Sequence, residues 1–180
     1  MIARAAGFTR SNIYRYFATR EEVFLDILQA DLTAWIAGLA DWIAPGAHTV
    51  PAFVERWVDS LLEHPHMLGL LAVLGTKLEE GSSIEALAAF KRQSRENHLR
   101  EIGHLTRAFP GLAQRDAHKA IQMRSALVVG AFPAIFPTQK QREAMDQAGI
   151  PFPGGDYRDA MVAAIESFMI RVVPDQSARL

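Results

Sequence analysis

Residues 2–28 read Ile-Ala-Arg-Ala-Ala-Gly-Phe-Thr-Arg-Ser-Asn-Ile-Tyr-Arg-Tyr-Phe-Ala-Thr-Arg-Glu-Glu-Val-Phe-Leu-Asp-Ile-Leu, and their pattern decides the fold. A short Ala-rich helix stops at Gly7, Phe8 plugs the turn, and Thr9 caps a new helix. Ile13 and Phe17, four residues apart, anchor one face of that helix. Its opposite face turns Arg10, Ser11, Asn12, Tyr14 and Arg15 outward, which reads as the second half of a helix-turn-helix followed by a connecting helix. Cations and hydroxyls for phosphates, with forked or amide groups for base edges, suit a helix laid in the major groove.

The charge distribution supports that reading, although the net charge of −1 over 180 residues does not. Residues 1–20 hold Arg4, Arg10, Arg15 and Arg20 and no Asp or Glu, so the whole acidic excess lies in the rest of the chain. A local basic footprint can bind phosphate by releasing counterions while an acidic body keeps the molecule soluble. With 49% hydrophobic residues the chain can bury a core in one or two domains, and no uninterrupted apolar run approaches the ~20 residues that cross a membrane. There is no cysteine, and no basic-headed apolar leader is read. The expected protein is soluble and cytoplasmic, without disulfides or thiolate metal sites.

Working outward, apolar residues recur at three and four almost everywhere, and no stretch sustains a two-residue alternation. The expected fold is all-α. Thr19-Arg20-Glu21-Glu22 is a capping box opening a helix that runs through Val23, Phe24, Ile27, Leu28, Leu32, Trp35, Ile36, Leu39, Trp42 and Ile43 to Pro45-Gly46. A second helix begins near Pro51 and stops where His64-Pro65-His66 breaks the pattern, and an apolar segment follows from Met67 to Leu78. Ser82-Ser83-Ile84-Glu85 opens a long helix to about Ala108, ended by Pro110-Gly111. Asp116 to about Phe132 forms another helix. Residues 133–155, rich in Pro and Gly, are mostly loop with room for one short helix capped by Thr138 and Gln141. A last helix spans about Asp156 to Val173.

The run from Ala5 to Phe24 closely resembles the DNA-binding head of TetR-family transcriptional regulators. The specific features are Ala6-Gly7 before the turn, the aromatic close Tyr14-Arg15-Tyr16-Phe17, and the Arg20-Glu21-Glu22 opening of the next helix. The resemblance proper covers roughly residues 2–28. It implies an all-α homodimer whose heads (residues 1–28) bind a palindromic double-stranded operator and whose larger helical domains (29–180) bind a small molecule and dimerise. By position, Thr9, Arg10, Ser11 and Asn12 lie near base edges and phosphates, Tyr14, Tyr16 and Arg20 contact backbone, and Arg15 belongs to the same DNA-facing set. Family members carry a first helix ahead of Ile2, so the chain is read as amino-terminally truncated relative to them. Ile2, Ala6, Ile13 and Phe17 then lack a packing partner, burying one large apolar side chain is worth ~1.5–3 kcal/mol, and the head is expected to hold DNA weakly.

Helical projection of residues 84–109 places Ser94, His98 and Leu105 near one line, flanked by Phe90 and Ile102. Two polar groups thus interrupt a stripe that otherwise reads as buried. One reading has Ser94 bonded to its own backbone and His98 satisfied in the core. The other makes Ser94 and His98 part of a ligand cavity whose apolar wall holds Trp57, Leu61, Leu74, Phe90 and Met123, for a largely apolar effector. His64-Pro65-His66 has metal-like spacing but no third ligand nearby, and reads as a turn; no metal and no cofactor is expected. Glu79-Glu80 reads as solvated charge. No nucleophile elbow or phosphate loop is present, so no catalysis is expected.

Ala120, Ala126, Gly130 and Ala131, mixed with Ile121, Leu127 and Val128, let another helix approach closely, and Met161, Ile165, Phe168 and Met169 fill the last helix. Together these two helices look like the pair that builds an isologous four-helix interface; packing within one subunit is the alternative. The expected protein is a ligand-responsive regulator, a repressor that releases its operator when a small molecule binds. The alternative is a headless helical ligand-binding or dimerisation protein that no longer binds DNA.

Overall fold

The computed structural model describes residues 17–46, 48–152 and 154–174, and among these there is no strand. Helix α1 spans Arg20–Gly38 and tightens into a 3-10 turn at Leu39–Asp41. Helices α2 (Val50–Leu62) and α3 (Pro65–Ala72) follow, then a π-helical turn at Leu74–Leu78. The long helices α4 (Ile84–Ala108) and α5 (Gln114–Ile135), a short α6 (Gln139–Ala148) and α7 (Gly154–Val172) complete the body. The all-α class expected from the three-four spacing is the class observed.

Local chemistry sets most boundaries. Thr19, Thr49, Ser83 and Thr138 each offer a side-chain oxygen to a backbone N–H in the first turn of α1, α2, α4 and α6. Thr138 and Gln141 form the complete reciprocal box, and Gly149, at φ 68°, ends α6 in a conformation that suits glycine. Pro65 occupies the first turn of α3, where its missing N–H costs nothing. Two boundaries differ from expectation. The α-helical part of α1 stops at Gly38, short of Pro45, and α5 continues through Pro133 instead of ending before it. Proline forfeits one backbone bond there, but Phe132, Ile135 and Phe136 beyond it pack on the core, and Phe136 N–H still reaches the Phe132 carbonyl at 2.8 Å. Gly69 makes room for this end of α5: a Cβ on it would lie 3.2 Å from the Phe132 ring.

The body assembles around an aromatic centre. Phe53 and Trp57 of α2 and Phe109, just after α4, are fully buried, and the Phe53 and Phe109 rings meet edge to face at 4.9 Å. Helix α1 packs on α4, while α7 packs on α5 and α2. Arg158 of α7 forks onto Asp59 of α2 through two 2.7 Å bonds, which raise the guanidinium pKa further; both side chains remain partly exposed, so the pair contributes at most about 1 kcal/mol. Within Arg20–Asp41 an 18-residue stretch has a mean hydropathy of 1.4, and the helix is long and apolar enough to span a bilayer on composition alone. Its apolar side chains have protein partners instead: Leu25, Leu28, Trp35, Ile36 and Leu39 belong to the core.

The residues named for pairing with a second copy divide between two faces. Ala120, Ile121, Val128 and Ala131 of α5, and Met161, Ile165 and Met169 of α7, are buried inside this subunit. Solvent is faced instead by Ala126 and Gly130 of α5 and by a stripe on α7 made of Ala160, Ala163, Ser167 and Ile170.

Candidate functional site

Five helices leave a cavity of about 160 Å³ between them. Leu32, Trp35 and Ile36 of α1, Leu61 of α2, Leu68 and Leu71 of α3, and Ile121, Val128 and Val129 of α5 supply its apolar walls. Ser94, Asn97, His98 and Glu101 of α4 face Arg124 and Ser125 of α5 at its polar end. Of the wall named from the sequence, Leu61, Ser94 and His98 line this cavity; Trp57, Leu74, Phe90 and Met123 are not among its lining. Trp57 is fully buried behind it, and Phe90 is closed in the core. The π turn that starts at Leu74 rotates the helical register, so its side chain packs against the core from another direction.

The polar end is organised by a buried ion pair. Arg124 and Glu101 are each less than 5% exposed, and the guanidinium meets the carboxylate through both nitrogens, Nη1 on Oε1 and Nη2 on Oε2. The guanidinium is stacked between two indoles, 4.4 Å from the Trp57 ring centre and 5.0 Å from that of Trp35. Trp57 Nε1 also donates to Glu101 Oε1 at 3.2 Å, so the pair is held from three elements. Three buried atoms around it have no protein partner: Ser94 Oγ, Asn97 Oδ1 and Arg124 Nε. Asn97 is oriented by its own amide, which donates to Thr33 Oγ1 at 2.9 Å. Ser94 therefore does not bond to its own backbone, contrary to one of the two sequence readings.

His98 lies against His118 of α5, with Nε2 and Nδ1 2.6 Å apart and the rings edge to face. Burial first, and the neighbouring His118 and Arg124 next, lower the His98 pKa, with Glu101 opposing them. The neutral imidazole is thus favoured at His98, and the two rings are placed for one N–H···N hydrogen bond.

A second polar cluster joins the body to the amino-terminal segment. Glu22, in the first turn of α1, is 7% exposed although a first-turn carboxylate usually faces water. Its Oε2 accepts from Ala18 N–H at 2.7 Å, and its Oε1 accepts from both the N–H (3.1 Å) and the hydroxyl (2.7 Å) of Ser83, the cap of α4. The sequence gives Glu22 the role of closing a box onto Thr19; only half of that box forms, Thr19 Oγ1 accepting from Glu22 N–H at 3.2 Å. Those bonds, the Ser83 hydroxyl foremost, hold the Glu22 carboxyl below its ordinary pKa. Gly81 lies directly beneath, and a Cβ on it would fall 2.5 Å from Glu21 Cγ. The helix that leaves the head and the helix that carries Ser94, Asn97 and His98 are therefore bonded at their starts.

Thr9, Arg10, Ser11, Asn12, Tyr14, Arg15 and Tyr16 lie outside the described residues. Arg20 is described: its side chain is exposed and turns onto Glu21 Oε1, with Nη2 at 3.0 Å, which offsets the unfavourable cation at a helix start. Elsewhere, Glu79 pairs with Lys91. His66 Nδ1 lies 3.8 Å from Asp31, and His64 stands at the cap of α3. No cluster of three or more metal-ligating side chains occurs among the described residues.

A helical body with a polar-ended, partly open cavity, bonded through Glu22 to a segment that reads as a helix-turn-helix, has the build of a DNA-binding transcriptional regulator. Residues 1–27 match the family model described as bacterial regulatory proteins, tetR family, and residues 29–170 match the one described as tetracyclin repressor-like, C-terminal domain. The chain belongs to the TetR family. No curated protein matches it.

Asn97, Glu101, Arg124 and Ser125 were not singled out by sequence reasoning, yet a signal exists. Arg124 falls three and four residues from Ile121 and Val128, and Glu101 falls four from Asn97 and Leu105. Charged residues on an otherwise apolar helical stripe mark a buried pair when two facing helices each carry one.

Proposed function

We propose that the chain is a ligand-responsive regulator, a repressor, in which residues 1–28 form the DNA-reading head and residues 29–180 the ligand-binding and dimerisation body. The single observation carrying this reading is the Glu22–Ser83 junction, because it gives a molecule in the cavity a mechanical route to the head. Four of the polar cavity residues sit on α4, whose cap is Ser83. A ligand that displaces α4 displaces the start of α1 with it. Operator binding requires two recognition helices about one DNA turn apart, ~34–36 Å or a multiple, and the ligand acts by favouring a body whose heads stand at another separation. The contacts themselves are assigned to Thr9, Arg10, Ser11, Asn12, Tyr14, Arg15, Tyr16 and Arg20.

The assignment is tested by the salt dependence of binding to DNA from upstream of the chain's own coding region, measured by fluorescence anisotropy at low salt. Arg10→Ala and Arg15→Ala are each expected to weaken binding, and a substitution that removes a phosphate contact lowers the slope of log K against log salt by about one. Slopes and affinities equal to those of the parent for both variants would remove these residues from the interface.

The second copy is placed on the exposed stripes of α5 and α7, through Ala126, Gly130, Ala160, Ala163, Ser167 and Ile170. An interface of small residues on a two-fold axis sets each stripe against its own copy. Ala163 is exposed in the subunit, so Ala163→Glu leaves the fold intact but brings like charges together across the axis, at a cost of several kcal/mol. Light scattering at micromolar concentration is expected to change from dimer to monomer mass. A variant that stays dimeric places the interface elsewhere.

A further inference from the structure

We infer that the cavity takes a compact, uncharged molecule: an apolar body about the size of one substituted ring, carrying a single hydroxyl that donates to Asn97 Oδ1 and bonds with Ser94 Oγ. This rests on reading the cavity as the effector site and narrows the effector to the class of small phenols and alcohols.

Size is the first argument. Drug-sized ligands occupy roughly 300–1,000 Å³, whereas an apolar cavity of roughly 150 Å³ holds benzene. At about 160 Å³, this partly open cavity seats a group of the second size.

The polar end supplies the second argument. Asn97 is only 2% exposed, and its Oδ1 is an acceptor without a donor, because the amide nitrogen is already committed to Thr33. A ligand must therefore bring a proton to it. Ser94 Oγ, also unpartnered, lies one helical turn away on the same face of α4, and side chains three apart stand about 5–6 Å from each other at Cβ. A single hydroxyl oxygen between them donates to one and accepts from the other. Buried polar atoms without a protein partner are the groups a ligand hydroxyl placed between them would satisfy.

Charge supplies the third. The cavity contains one cation and one anion, Arg124 and Glu101, and each is already the other's partner through two bonds. Burial keeps His98 neutral, and His118 behind it is engaged with its ring. Arg124 Nε keeps an N–H without a protein partner, which a ligand oxygen can use, but the guanidinium's charge is already balanced by Glu101, so a carboxylate or ammonium entering here loses its hydration without gaining an unmatched counter-charge. Neutral ligands are selected by default.

The experiment is calorimetric titration of the full chain with p-cresol, toluene and benzoate, repeated on Ser94→Ala. That substitution removes an oxygen with no protein partner and so spares the fold. The parent is expected to bind p-cresol about 5- to 10-fold more tightly than toluene, and benzoate not detectably. Ser94→Ala should lower p-cresol affinity by about 2- to 3-fold, since the bond to Asn97 remains, and leave toluene unchanged. The ligand class is overturned if p-cresol does not bind, if benzoate binds as well as p-cresol, or if Ser94→Ala weakens toluene and p-cresol equally. A different result sinks the effector reading alone: p-cresol binding with the expected selectivity but no change in the chain's affinity for DNA.

Discussion

Replacing Arg124 with methionine is expected to lower the stability of the helical body by about 3–5 kcal/mol, because it strands Glu101 as an uncompensated buried charge. For a chain of this length, each kcal/mol moves the melting temperature by roughly 2–4 °C, so the drop should be on the order of 10 °C. Methionine nearly fills the guanidinium's space between Trp35 and Trp57, so lost packing is not the main effect. Charge is. The double variant Glu101→Gln with Arg124→Met separates the two, since Gln keeps an acceptor for the Trp57 indole N–H and removes the charge. It is expected to recover at least half of the loss in urea denaturation. A double variant as unstable as the single one would mean that the stacked guanidinium, worth about 2 kcal/mol or more when desolvated, outweighs the ion pair.

That the buried pair of the core also lines the proposed ligand cavity explains why the candidate site was only partly legible in the sequence. Helix starts depend on neighbours three residues apart, and the Thr138 cap was readable for that reason, whereas the box read at Ser82 and Glu85 falls one residue early: Ser83 caps α4, and the Ser82 hydroxyl bonds to the Leu78 carbonyl. The end of α4 at Ala108 was equally plain, with Pro110-Gly111 behind it. Pro133 was misjudged because its local cost is offset by Phe132, Ile135 and Phe136, whose burial depends on α5 meeting distant helices. The cavity is still less local. Ser94 and His98 stood out as polar interruptions on one helix, but their counterparts on α5 become neighbours only once two helices 20 to 30 residues apart in sequence are packed. Large side chains such as Trp57 and Phe90 looked like cavity walls and instead fill the space they were expected to border. Glu22 was legible as a cap and not as a link, since Ser83 lies 61 residues away.

Glu22→Ala is expected to cost about 2–3 kcal/mol and to make DNA affinity insensitive to what occupies the cavity. One carboxylate serves three donors, Ala18 N–H, Ser83 N–H and the Ser83 hydroxyl, and bonds to a charged acceptor contribute more than neutral ones. Removing it leaves the cap of α4 without its tie to α1, so movement of α4 no longer reaches the head. The pH dependence isolates the charge. The folded pKa of Glu22 lies below its ordinary value, so the unfolded chain takes up this proton first as acid is added. Its contribution is complete above the ordinary carboxylate pKa and is lost as pH falls through the depressed folded value. In denaturant titrations, the parent should therefore exceed Glu22→Gln in stability at neutral pH, and the difference should shrink steadily in acid. A difference that stays constant down to the acid limit would show that shape, and not charge, makes the joint. A Glu22→Ala protein whose DNA affinity still responds to an occupied cavity would show that the signal takes another path.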